Sequence, residues 1–174
     1  MKFNFKSIFP IQLTALLFLL VSCGSDEDSL QRIDQIMNIY VRNEAGQDLL
    51  NAKKAGSFTG YSVNDREGDK DVAPVSISLK MTTDSLFYFD YTTGAKRKIL
   101  DSISPDNKTY RSRMTFTYSK KVNDQTVTES DEMEIHYRWT PNLFQVSEVF
   151  YNGVPVFSKS ADQPNSINTV TIVK

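Results

Sequence analysis

The 174-residue chain contains one cysteine, Cys23, and one histidine, His136. A Cys–His or Ser–His–Asp site would have to be assembled around His136, because nucleophilic catalysis of that kind needs a base to activate the nucleophile. His136 lies between Glu134 and Arg138 at the polar positions of an alternating stretch, and no Gly-rich nucleophile turn accompanies it. An exposed strand residue is the simpler reading, so no catalytic residue is assigned. Asp65, Glu67, Asp69 and Asp71 alternate around Gly68. Hard oxygen ligands at such spacing suit calcium, but Arg66 and Lys70 interrupt the run and the terminal bidentate glutamate of an EF-hand is missing. The run is read as a solvated charged loop, and no metal or cofactor is expected. Glu132 and Glu134 would serve glycoside hydrolysis only if they faced each other across a cleft. Two apart on one strand face, beside arginines, they read as a salt-bridged sheet surface.

Cys23 has a more specific setting. Lys2 and Lys6 make a positive start, and residues 13–21 are apolar apart from Thr14. That length suits the core of a secretory signal and is too short to span a bilayer. The signal ends in Leu20-Val21-Ser22-Cys23 rather than in an A-x-A site. This ending resembles the lipobox of bacterial lipoproteins. The resemblance implies that residues 1–22 are removed and that Cys23 becomes the first mature residue, bearing a diacylglycerol thioether and an N-acyl chain. Two or more acyl chains give stable membrane anchoring where one gives only marginal binding. The following Gly24-Ser25-Asp26-Glu27-Asp28 resembles the surface-export signal of Bacteroidetes lipoproteins. It implies an outer-membrane lipoprotein exposed at the cell surface, the alternative being the periplasmic face of the outer membrane. Residues 23–34 read as an acidic tether.

The run Val41-Arg42-Asn43-Glu44-Ala45-Gly46-Gln47-Asp48-Leu49-Leu50-Asn51 resembles the opening of small Bacteroidetes lipoproteins with immunoglobulin-like domains. Asp28-Ser29-Leu30, Asp84-Ser85-Leu86 and Asp101-Ser102-Ile103 match the acceptor pattern for O-glycosylation known in that group. The resemblance thus implies candidate acceptors at Ser29, Ser85 and Ser102.

The elements that would carry these residues are strands. Formal net charge is −1, with 20 basic against 21 acidic residues and no basic patch, so nucleic acid is not an expected partner. With Cys23 alone, a disulfide within the chain is excluded, and stability must come from packing, for which 11 Phe, 8 Tyr and one Trp supply the area. Alternation predicts strands near 36–43, 58–63, 75–81 and 86–91. In the third of these, Val75, Ile77, Leu79 and Met81 should line a buried face. Residues 109–121 place Tyr110, Met114, Phe116 and Tyr118 on one face, and residues 126–139 do the same with Met133, Ile135, Tyr137 and Trp139. A long antiparallel hairpin turning at Asp124-Gln125 would pair Tyr110 with Trp139 and Met114 with Ile135. Asn152-Gly153 signals a second, type I′ hairpin that sets Tyr151 against Val154 and Val149 against Val156. Phe144 and Val146 are out of phase with Val149 and Tyr151, which predicts a bulge near Ser147-Glu148. A last strand runs from Ile167 to Val173.

No amphipathic helix is legible. The reading is all-β: one antiparallel, immunoglobulin-like β-sandwich of about eight or nine strands over residues 35–174, with a closed antiparallel barrel as the alternative. The aromatics should fill its core, and if any face is open it is that of Phe87, Phe89 and Tyr91, a candidate binding face. The expected role is a lipid-anchored, non-catalytic binding or adhesion module for a glycan or protein partner. An enzyme inhibitor or accessory lipoprotein, and a structural envelope component, are the alternatives. Oligomeric state carries no signal in the sequence.

Overall fold

Eleven strands carry the residues that a computed structural model describes, 30–174. In chain order they are β1 (Arg32–Asp34), β2 (Met37–Arg42), β3 (Gly60–Asp65), β4 (Ser78–Met81), β5 (Phe87–Tyr91), β6 (Lys98–Ser104), β7 (Asn107–Val122), β8 (Gln125–Thr140), β9 (Leu143–Tyr151), β10 (Val154–Ser158) and β11 (Asn168–Val173). There is no helix among the described residues. The strands form a seven-stranded sheet, β1-β9-β8-β7-β3 with β10 also on β9 and β6 also on β7, and a four-stranded sheet, β11-β2-β5-β4. One of the two is curled into a half-barrel, and the architecture is that of a β-sandwich rather than a closed barrel. Gln31–Lys174 make one compact unit.

The core is where the alternation places it. Met114, Phe116 and Tyr118 from β7 and Met133, Ile135 and Tyr137 from β8 are fully buried against Met37, Ile39, Val41, Phe89, Tyr91, Val170 and Ile172 of the smaller sheet. Ser112, the gap in the β7 face, is also buried, and its hydroxyl donates to the Lys96 carbonyl at 2.9 Å. The Asn152-Gly153 turn has φ of 50° and 79°, as a type I′ turn requires. Tyr151 pairs with Val154 as expected. The β9 bulge is present too: His136 pairs with Glu148 and Tyr137 with Val146, so Ser147 is the extra residue. This lets Phe144 and Val146 on one side of it, and Val149 and Tyr151 on the other, all face inward.

Several expectations are corrected. The sheets are mixed, not antiparallel throughout, because β1 runs parallel to β9 and β11 parallel to β2. Alternation reports which face a residue occupies and is silent on strand direction. The domain begins at Gln31 rather than at residue 35, since Arg32–Asp34 of the expected tether form a sheet strand. The β7–β8 hairpin turns at Asn123-Asp124, not Asp124-Gln125, and pairs Met114 with Met133 and Tyr110 with Tyr137. Asn123 and Asp124 have φ of 49° and 62°. Short polar side chains of this kind tolerate the left-handed region, which Gln does less readily. The shift of two residues leaves every side chain on its expected face. Val149 pairs with Phe157 rather than Val156, because β10 has a register shift between Pro155 and Phe157. Of the Val75–Met81 set only Val75 is buried, and β4 is exposed along its length. It is the edge strand of its sheet, beyond the cover of the opposite sheet.

Candidate functional site

The chemistry-bearing residues gather on the outer face of β7, β8 and β9. Antiparallel register sets Arg113 beside Glu134 and His136 beside Glu148. His136 is largely covered, with its side chain 14% exposed, and both ring nitrogens face carboxylates: Nε2 lies 2.7 Å from Glu134 Oε1 and Nδ1 lies 3.2 Å from Glu148 Oε2. The Phe150 ring stands 5.0 Å away at a tilt. Glu132 accepts from Arg113 Nε at 2.9 Å and also pairs with Arg66, while Glu134 lies 3.4 Å from Arg113 Nε. A chain of polar contacts thus runs from Arg66 through Glu132, Arg113, Glu134 and His136 to Glu148. Beside it a depression of about 260 Å³ is lined by Glu132, Glu134, His136, Phe150 and Gly153. With both nitrogens facing carboxylates, the imidazole is held in place. It is not turned toward a hydroxyl that it could activate.

The acidic loop divides in two. Asp65 and Glu67 are buried. Asp65 accepts the Glu67 amide at 2.8 Å and the Lys96 amide at 2.6 Å, which makes it a tie between two loops. Glu67 sits 2.6 Å from Lys98 Nζ and 3.2 Å from Arg111 Nη2. Asp69 pairs with Lys96. The carboxylates of Asp65, Glu67 and Asp69 are therefore engaged by cations and amides of the chain itself.

These pairings set an acid response. The hydrogen bond from Lys98 holds the Glu67 carboxyl below its ordinary value of 4.5, and those from Arg113 do the same for Glu132. A carboxyl depressed in the folded state adds stability that is complete above its unfolded value and is lost as pH falls through the folded one. The urea midpoint should therefore fall between about pH 5 and about pH 3, and Glu67→Gln should flatten that fall. An unchanged acid response in Glu67→Gln would show that the Lys98 and Arg111 pairs add nothing.

Cys23 and Ser29 lie outside the described residues. Ser85 is exposed in the turn before β5 with a positive φ of 62°, and its amide donates to the Thr82 carbonyl at 3.0 Å. Ser102 is exposed on β6, its hydroxyl donating to the Ser104 carbonyl at 3.3 Å. Both are exposed. The candidate face Phe87, Phe89 and Tyr91 is corrected: Phe89 and Tyr91 are fully buried and Phe87 packs against the same core. Phe89 stacks toward Tyr61, Phe116 and Tyr118 of the opposite sheet, at 4.6, 5.8 and 6.4 Å between centroids. That face of β5 is the inner face of the sandwich, while on the outer one Tyr88 lies beside Tyr40 at 5.5 Å between centroids.

The exposed apolar surface lies elsewhere. Among the described residues β6 pairs only with β7, and it is exposed at every residue. Ile99, Leu100 and Ile103 stand on it 59, 42 and 73% exposed. The sequence shows these residues as a short apolar strand but not that nothing covers them. Comparison with protein-family models, with curated proteins and with solved structures found no match to the chain.

Proposed function

We propose that the protein is a lipid-anchored cell-surface module that binds a protein partner, with β6 as its docking edge. The supporting observation is the strand itself. An edge strand leaves one row of amides and carbonyls unpaired, and on β6 that row is accompanied by Ile99, Leu100 and Ile103. Edges of this kind accept an extended segment as an added strand, with main-chain hydrogen bonds giving affinity and alternate side chains giving selectivity. The register shifts that β6 carries on its β7 side, around Leu100 and Ile103, bend it and restrict which segment fits. Anchoring rests on the lipobox-like ending at Cys23. The short stretch from Cys23 to Gln31 holds the domain near the membrane surface, where a partner in the envelope or on another cell would be met.

The test uses intact cells making the full chain. Added protease should remove the domain, and Cys23→Ala should move the chain from the membrane to the soluble fraction. A membrane-impermeant cross-linker should give a higher-mass adduct that the Ile99→Lys/Ile103→Lys chain loses. Protection from the protease, retention of Cys23→Ala in membranes, or an adduct indifferent to β6 would each overturn the corresponding part of the reading.

A further inference from the structure

Where the edges of the two sheets meet, three polar side chains converge out of the reach of water. Asp34 ends β1 on the larger sheet, Lys159 follows β10 of the same sheet, and Asn168 opens β11 on the smaller one. They are 2, 8 and 2% exposed. Lys159 Nζ donates to Asp34 Oδ2 at 2.6 Å and to the Asn168 carboxamide oxygen at 3.1 Å. Asn168 Nδ2 donates to Asp34 Oδ1 at 2.9 Å and to the Ile36 carbonyl at 3.1 Å. Lys159 Nζ also reaches Ser166 Oγ at 3.2 Å, and Gln145 Nε2 lies 3.4 Å from Asp34 Oδ2. The backbone fixes all three. The Lys159 amide donates to the Ser147 carbonyl at 2.8 Å, the Asn168 amide donates to the Ile36 carbonyl at 2.9 Å, and Asp34 lies opposite Gln145 in the sheet.

A buried ion pair needs only an ammonium and a carboxylate. Here a carboxamide completes the ring, with its oxygen on the amine and its nitrogen on the second carboxylate oxygen. We propose that this is a self-ligation site, in which Lys159 Nζ and Asn168 Cγ join in an amide bond with Asp34 as the proton relay and ammonia as the leaving group. Asp34 Oδ2 takes a proton from the Lys159 ammonium, which leaves a neutral amine beside the carboxamide. The lone pair of Nζ forms a bond to Cγ and the carbonyl becomes a tetrahedral oxyanion. The Asp34 carboxyl hands the proton it took up on to Nδ2, the Cγ–Nδ2 bond breaks, and ammonia departs. The second proton shed by Nζ passes through the same carboxylate and leaves with the ammonia as ammonium. Asp34 ends as it began, and no oxidant or co-reactant is consumed.

Three features favour the step. The reacting groups are held in contact, so an intermolecular encounter is replaced by an internal one. The proton transfer between Lys159 and Asp34 removes two buried charges at once, and burial makes those charges costly. The site excludes the water that would otherwise compete for the carboxamide. The product bolts the larger sheet to the smaller one in a region of the chain that has no cysteine for a disulfide.

Digestion of the purified full chain with trypsin, followed by mass spectrometry, decides the matter. An unligated chain is cut after Lys159 and yields peptides 139–159 and 160–174. The ligated chain should resist that cut and yield one peptide, 139–174, lighter by one ammonia, about 17 Da. Fragmentation should give no backbone breaks separating residues 159 and 168. Asp34→Ala and Lys159→Arg should both restore cleavage at position 159 with no loss of ammonia. Complete cleavage of the wild-type chain after Lys159 would overturn the proposal and leave a buried ion pair only. So would an ammonia loss in a chain still cleaved there, because it reports a succinimide at an asparagine. Ligation that persists in Asp34→Ala would overturn the role of Asp34. The wild-type digest is decisive even if a variant fails to fold.

Discussion

Phe89→Ala should lower the unfolding free energy by about 3–5 kcal/mol, the usual cost of deleting a fully buried phenyl ring. Phe89 is the aromatic through which β5 of the smaller sheet meets the larger one. Its ring lies against those of Tyr61 of β3 and Phe116 and Tyr118 of β7. Loss of the ring leaves a void between two sheets that pairing holds at a fixed spacing, so little collapse can fill it. Phe89→Leu keeps most of the volume and should cost roughly 1–2 kcal/mol. Chemical unfolding of the two variants checks both figures. A small domain has only about 5–15 kcal/mol in total, so Phe89→Ala should also unfold at a visibly lower temperature. A cost near zero for the alanine variant would mean that the ring faces solvent, as an exposed aromatic binding platform would.

That contrast marks how far the sequence could be read. Alternation in residues 109–121 and 126–139 assigned Met114, Phe116, Met133 and Ile135 to one inner face, and the structure buries all four. Asn152-Gly153 and the phase change around Ser147 were legible because turn chemistry and bulges act over a few residues. Residues 86–91 were legible as a strand, but a run that is apolar on both faces cannot say which face meets the other sheet. Partnership at long range was illegible for the same reason. Nothing in Arg32–Asp34 or Asn168–Val173 announces a parallel neighbour far away in the chain.

The outer-face network shows the same division. Glu132, Glu134 and His136 were visible as one strand face. Arg113 was legible as well, as a cross-strand neighbour of Glu134, whereas Glu148 and Arg66 joined them only through strand order. Least legible of all were the buried polar residues. Asp34 was read as tether, Asn168 only as a position within the last strand, and Lys159 stood out in no way. A polar residue becomes buried because of what other segments bring to it, and period-two patterning carries no trace of that.

Asp48→Ala is the second substitution with a large expected effect, about 2–5 kcal/mol, and it tests one of these hidden polar ties. Asp48 is 2% exposed. Its Oδ1 accepts the Leu50 amide at 2.9 Å and its Oδ2 accepts the Phe87 amide at 2.9 Å. The second bond has a clear origin. Pairing between β2 and β5 ends at Ile39–Phe89, two residues short of Phe87, and the Asp48 carboxylate stands where the continuing strand would have supplied an acceptor. The local bond closes a tight turn after β2, and the distant one fastens that turn to the start of β5. Alanine leaves both amides without their acceptor, and each such loss costs about 1–3 kcal/mol. Asparagine retains one acceptor but presents an amide donor to the other N–H, so Asp48→Asn should fall between alanine and wild type rather than restore stability. Amide hydrogen exchange separates the two bonds. In Asp48→Ala the Phe87 amide should exchange faster while the amides of Phe89 and Tyr91 keep their protection. If Phe87 stays as protected as in wild type, pairing with β4 alone secures the start of β5, and the cost of the substitution belongs to the Leu50 turn.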